Sequence, residues 1–179
     1  MKLRSLQLQD APLMLEWMHD DSVVHDLHRN FSKLTLEDCE NFIRKSLESQ
    51  NQNLHLAIAD DDTDEYMGTI SLKNINKENK SAEFGITIRK AAMGKDYSRA
   101  AMAAILDKAT TELGITKVYW CVDPVNQRAL RFYDKNAYKR IQLQNEQDLY
   151  TLVKESDDYS QSDMDRYVWF LYQKTGLNK

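Results

Sequence analysis

Gly94, Lys95 and Arg99 stand between two periodic segments, a placement suited to holding an anion. In Glu83–Ile88, before them, Phe84, Ile86 and Ile88 alternate with Glu83, Gly85 and Thr87, which gives a strand with one apolar face. In Tyr97–Leu113, after them, Ala101, Ile105, Ala109 and Leu113 recur at helical spacing, and Gly114 stands where a helix-ending glycine would stand. A helix N-terminus offers unpaired N–H groups and partial positive charge, and a loop without bulky side chains lets phosphate approach them. Lys95 and Arg99 would add formal charge. On this stretch alone an ordinary strand–loop–helix crossover is the better reading, because one glycine is a weak phosphate signal.

A second stretch shifts the balance. Val118, Trp120 and Val122 alternate with Lys117, Tyr119 and Cys121, another strand, which Asp123-Pro124 ends. Asn126 then has the position of an N-cap, and Gln127–Lys135 carries Ala129, Leu130, Phe132 and Tyr133 on a short helix. Ala91-Ala92-Met93-Gly94-Lys95-Asp96 resembles the pyrophosphate segment Q/R-x-x-G-x-G/A of the GNAT superfamily of acetyl-CoA-dependent N-acetyltransferases. Asn126, Ala129, Tyr133, Ala137 and Tyr138 resemble its N-x-x-A-x-x-x-Y-x-x-x-G-F segment. The spacing from Glu83 through Tyr138 is similar to that of the spermidine and ribosomal-protein acetyltransferase branch. Ala91, Asp96 and Ala137 depart from the pattern, and Asn136, beside Ala137, tolerates the left-handed conformation that the missing glycine would take.

The resemblance implies a mixed α/β (α+β) fold: a mostly antiparallel central sheet with one splayed strand pair and about four flanking helices. It implies that the pantetheine arm pairs with the backbone of Thr87, Ile88 and Arg89, with an N–H near Ile88 facing the thioester oxygen. The pyrophosphate would rest on Met93, Gly94, Lys95, Asp96, Tyr97, Ser98 and Arg99, with Asn126, Ala129 and Tyr133 also at the coenzyme. An alkylamine titrates near ~10, so a carboxylate must take its proton; Glu83 is the candidate, and a polar residue bonded across the sheet is the equal alternative. Tyr133 is the candidate acid for the departing thiolate, whose pKa is roughly 8–9 by analogy with cysteine. His25, His28 and Arg29 would border the acceptor groove. His25-x-x-His28 lacks the partner cluster a metal needs, so no metal is expected. The acceptor is a small-molecule, amino-sugar or peptide amine; the alternative is a non-catalytic CoA-binding or ligand-sensing module on the same fold.

The elements that must position these residues follow in order. Met1–Leu6 reads as an edge strand, and Asp10-Ala11-Pro12 starts a helix with Leu13, Met14, Trp17 and Met18 inward. Thr35 and Asp38 form a relative of the capping box for a helix to about Ser49, with Leu36, Cys39, Phe42, Ile43 and Leu47 inward. Strands at Asn53–Ala59 and Tyr66–Leu72 form a hairpin leading into the Ser81 strand. Gln147–Val153 and Tyr167–Gln173 read as two terminal strands, separated by an acidic loop over Glu155–Asp165.

A chain of 179 residues with 42% hydrophobic content can fill one core, so one domain over 1–179 is expected. Net charge of -4 argues against a nucleic-acid surface, and no apolar run approaches a membrane span. No basic-then-apolar leader opens the chain, and Cys39 and Cys121 lie far apart, so a cytoplasmic protein with reduced thiols is expected; a homodimer is compatible with all of this.

Overall fold

The computed structural model describes residues 1–27, 29–48 and 50–174. Seven strands form one sheet: β1 (Lys2–Ser5), β2 (Leu54–Ala59), β3 (Tyr66–Asn76), β4 (Ser81–Ile88), β5 (Lys117–Val122), β6 (Lys139–Ile141) and β7 (Val168–Gln173). Their order is β1-β2-β3-β4-β5-β7-β6, and every neighbouring pair is antiparallel except β4 with β5. The parallel pair needs a crossover, and α4 (Tyr97–Thr111) supplies it. Ala101, Met102, Ile105 and Ala109 are the buried stripe of α4 and share a core with Ile70, Leu72, Phe84 and Val118. The chain turns after α4 at Gly114, whose φ of +67° suits glycine.

The other face of the sheet meets α1 (Ala11–Met18) and α3 (Leu36–Glu48), with the short α2 (Asp21–Val24) between them. Thr35 and Asp38 cap α3 reciprocally: Asp38 N–H donates to Thr35 Oγ1 at 3.2 Å, and Thr35 N–H donates to the Asp38 carboxylate at 2.8 Å. Cys39 and Ile43 lie inside, but Leu36, Phe42 and Leu47 are at the surface, because α1 covers only one stripe of α3.

The C-terminal region differs from the sequence expectation. Gln147–Val153 is not a strand but most of helix α6 (Gln147–Glu155), and a further helix, α7 (Gln161–Arg166), interrupts the expected acidic loop. Leu149 and Val153 are four residues apart and pack with Tyr119, Leu143, Met164 and Trp169, so the period that governs is helical. The strand that pairs with β7 is β6, and β7 inserts between β5 and β6. With α5 (Gln127–Lys135), seven α-helical segments are present among the described residues, more than the four expected. Ala137 itself, not Asn136, is left-handed, with φ of +58°.

Candidate active site

β4 and β5 pair only at Ser81–Lys117, Ala82–Val118 and Glu83–Tyr119; beyond Glu83 they part. Arg89 N–H donates to Met67 O of β3 at 2.9 Å. Backbone groups alternate along a strand, so those of Ile86 and Ile88 turn toward the opened edge while those of Thr87 and Arg89 face β3. An unpaired strand edge inside a fold is a template for an extended ligand.

A cleft of about 670 Å³ occupies the opening and takes in Glu83, Ile86, Asn126, Tyr133 and Tyr159. A narrower channel of about 260 Å³ continues toward the start of α4 past Ile88, Met93, Gly94, Ser98 and Arg128. Ile86, Thr87, Asn126, Ala129 and Tyr133 belong to both.

Glu83 is 3% exposed. Its carboxylate accepts from Lys73 Nζ at 2.9 Å, Asn74 Nδ2 at 3.2 Å and Tyr159 hydroxyl at 2.6 Å. It is therefore both bonded across the sheet, opposite Lys73, and on the wall of the cleft. Tyr133 is 6% exposed and lies 5.2 Å from Trp120 and 5.1 Å from Phe170, ring centre to ring centre. Burial pushes its phenol well above the usual tyrosine range, so the hydroxyl, protonated at neutral pH in any case, holds its proton more tightly. That hydroxyl takes no hydrogen-bond partner among the described residues. Asn126 caps α5, its side chain accepting from Ala129 N–H at 3.0 Å. Cys121 also reaches the cleft, but burial pushes its thiol up to about 12, so it is a thiol and a poor nucleophile.

Gly94, at φ +77°, has nothing within 4 Å of where a β-carbon would stand, so the ground before α4 is open. Asp96 precedes α4 at φ +63°, and its carboxylate binds Arg99, with Nε at 2.8 Å. Arg99 holds that carboxylate below its usual range. Lys95 is exposed beside them.

Three residues of the expected coenzyme set are engaged elsewhere: the backbone of Thr87 is turned to Thr69 of β3 rather than to the opening, and Arg89 and Tyr97 bond outside it. Arg89 donates through its guanidinium to Glu16 at 3.0 Å, Glu65 at 2.6 Å and Tyr66 O at 2.9 Å, and its own carbonyl accepts from Ala92 N–H at 3.0 Å. Its backbone N–H is turned toward β3 by strand parity, and its side chain is held by Glu16 and Glu65. Tyr97 donates to Asp60 at 2.5 Å in the β2–β3 turn, which raises the phenol to about 12 and lowers the carboxyl to about 2. Of the expected acceptor residues, Arg29 lines the cleft, His25 lines a neighbouring hollow beside His19 and Asp21, and His28 lies outside the described residues.

Sequence reasoning missed Lys73, Arg128 and Tyr159. Arg128 is the cation that lines the narrow channel, with Nη1 3.1 Å from Met93 Sδ, and its place two residues after the Asn126 cap, in the first turn of α5, is the signal that could have found it. Tyr159 was visible as the aromatic residue of an otherwise acidic stretch, but its partner Glu83 is 76 residues away. Among the described residues, no three His, Cys, Asp or Glu side chains are placed to hold a metal, and no helix is long and apolar enough to cross a membrane.

Known proteins agree with this geometry. Residues 1–139 match the family described as Acetyltransferase (GNAT) domain. An uncharacterized N-acetyltransferase, p20, of Bacillus licheniformis is 24% identical over 77% of this chain and 78% of its own. Spermidine N(1)-acetyltransferase of Escherichia coli K12 is 28% identical over 76% of this chain and 72% of its own. The solved structure of spermidine N-acetyltransferase from Vibrio cholerae, in complex with CoA and spermine, superimposes with a TM-score of 0.74 at 17% identity, covering 97% of this chain and 95% of that one. Seven-stranded sheet, parted parallel pair and family match converge: this chain belongs to the GNAT acetyltransferase family.

Proposed function

We propose that this protein transfers the acetyl group of acetyl-CoA to a primary amine by direct attack. One observation carries the reading: the parting of β4 from β5 after Glu83 opens a bared strand edge and a cleft that Glu83 and Tyr133 both line. The coenzyme's pantetheine arm would lie along the edge of Ile86 and Ile88, and its pyrophosphate near Gly94, Ser98 and Arg128. Thr87, Met93, Asn126 and Ala129 would line its path.

Glu83 takes the proton of the attacking amine, directly or through water. The Ile88 N–H, on the opened edge, donates to the carbonyl oxygen as charge gathers there. The bond from carbonyl carbon to sulfur then breaks, and the Tyr133 hydroxyl, on the wall of the cleft, gives its proton to the thiolate. The raised thiol of Cys121 supports direct attack over an acyl-cysteine route. Cys39 and Cys121 are both free thiols, which suits a cytoplasmic setting.

Calorimetric titration with acetyl-CoA, with desulfo-CoA and ATP as controls, followed by thiol release across an amine panel, tests the proposal. Saturable acetyl-CoA binding and amine-dependent thiol release are expected. Binding without release on any amine would identify a coenzyme-binding module instead, and absence of binding would remove both readings.

A further inference from the structure

A second cavity, of about 450 Å³, opens off the cleft on the same face of the sheet. The strand register explains it. Thr69 stands opposite Thr87, and Ser71 opposite Gly85, so short side chains lie side by side on one face of β3 and β4. Met14, Trp17 and Phe42 from α1 and α3 close the other side. A β-carbon at Gly85 would meet only Cε of Lys73, at 3.8 Å. A glycine within a strand marks a place where a ligand can approach the backbone closely. Cavity and cleft share Phe31, Lys73 and the stretch from Gly85 to Thr87, so one molecule can reach Glu83 with one end and extend into the cavity with the other.

The charges around this cavity discriminate. Arg29, Lys45 and Lys73 line it, Lys73 being paired with Glu83 at 2.9 Å, against the one carboxylate of Asp38, which accepts from Thr35 N–H and hydroxyl at 2.8 Å. A second ammonium group placed there would face cations, whereas an apolar group would meet aromatic and thioether surface. The volume falls in the usual range of small-molecule pockets.

We propose that the acceptor is a primary amine on an apolar body of aromatic size, an arylalkylamine in chemical class, with its amine at Glu83 and its body between Trp17, Met14 and Ser71. This rests on the acetyl-transfer reading above, names its acceptor class and separates it from linear polyamines.

The test is calorimetric titration of the full chain, with CoA present, using 2-phenylethylamine and spermidine separately. Phenylethylamine is expected to bind about tenfold or more tightly than spermidine. Ser71→Leu, which fills the floor, is expected to weaken phenylethylamine about tenfold or more. Phe42→Ser, at the exposed rim, is expected to weaken it severalfold and covers the case in which Ser71→Leu does not fold. Tighter binding of spermidine, or phenylethylamine binding unchanged in both variants, overturns the proposal. Thiol release is read separately. Preferred acetylation of spermidine overturns the acceptor class and leaves the acetyltransferase reading standing. Phenylethylamine bound as expected without thiol release on any amine upholds the pocket and removes the acetyltransferase reading.

Discussion

On the face of β3 and β4 that meets α4, Ile70, Leu72, Phe84 and Ile88 interlock with Ala101, Met102, Ile105 and Ala109. On the opposite face, the alternate residues of the same two strands are Thr69, Ser71, Lys73, Glu83, Gly85 and Thr87, and two cavities lie over them. Side chains alternate with a period of two, so a single pair of strands serves stability on one side and the site on the other. The closed face is filled by large aliphatics that exclude water; the open face carries short or ionic groups that cannot fill the space under α1 and α3. Substitutions on the two faces should therefore separate: those on the open face move activity, and those on the closed face move stability.

The largest effect is expected at the cleft. Tyr133→Phe and Glu83→Gln should each lower kcat by about 10²–10⁴-fold, the usual worth of a positioned acid or base. Tyr133→Phe removes a hydroxyl with no partner among the described residues, so its denaturation midpoint should stay near that of the wild type. Unchanged turnover in Tyr133→Phe would sink the acid role. On the closed face, Ile105→Ala should cost about 2–5 kcal/mol of stability, because Ile105 is fully buried and a cavity would remain. Its kcat, measured well below the melting range, should change far less than that of Tyr133→Phe; a comparable loss would break the division of labour between the faces.

The closed face was legible in the sequence, and the open face only in part. Alternation marked Phe84, Ile86 and Ile88, and helical spacing marked Ala101, Ile105 and Ala109, because both signals are local. The α5 boundaries and the Asn126 cap were legible for the same reason. The parting of β4 and β5 has no local signature and came only through the family resemblance. Tyr159 reaches Glu83 through the turn between α6 and α7, a contact that depends on how the C-terminal helices pack over Tyr119 and Trp169. The Gln147–Val153 segment was misread because Leu149, Tyr150, Leu152 and Val153 supply apolar residues to either period, and packing chose the helical one.

A smaller effect is expected from His55, on the open face, where Nδ1 lies 2.7 Å from Ser71 Oγ. Burial, aided by Lys73, lowers its pKa from 6.5 to about 4. Below pH 6.5 the unfolded chain takes up this proton and the folded chain does not. Stability should therefore fall as pH drops from 6.5 toward about 4 and level off below that. Chemical denaturation across this window should show a shallower slope in His55→Gln. Identical slopes would mean that His55 is hydrated in the folded chain and that this part of the face is not closed.

The smallest effects concern two left-handed residues, Ala137 at φ +58° and Asp96 at φ +63°. Both stand where the resembled segments carry glycine, and they separate backbone strain from charge. A left-handed alanine costs roughly 1–2 kcal/mol, while glycine gives back about 0.4–1 kcal/mol through a freer unfolded chain. Ala137→Gly should thus stabilise by about 0.5–1 kcal/mol, read as a higher denaturant midpoint, with acetyl-CoA affinity unchanged. Aspartate tolerates the left-handed region better, and its exposed ion pair with Arg99 is worth little, so Asp96→Gly should barely move the midpoint. It should instead tighten acetyl-CoA, because it removes a carboxylate from the ground before α4 and frees Arg99 for phosphate. Weaker acetyl-CoA binding in Asp96→Gly would show that Asp96 orders this turn for the coenzyme rather than opposing its charge.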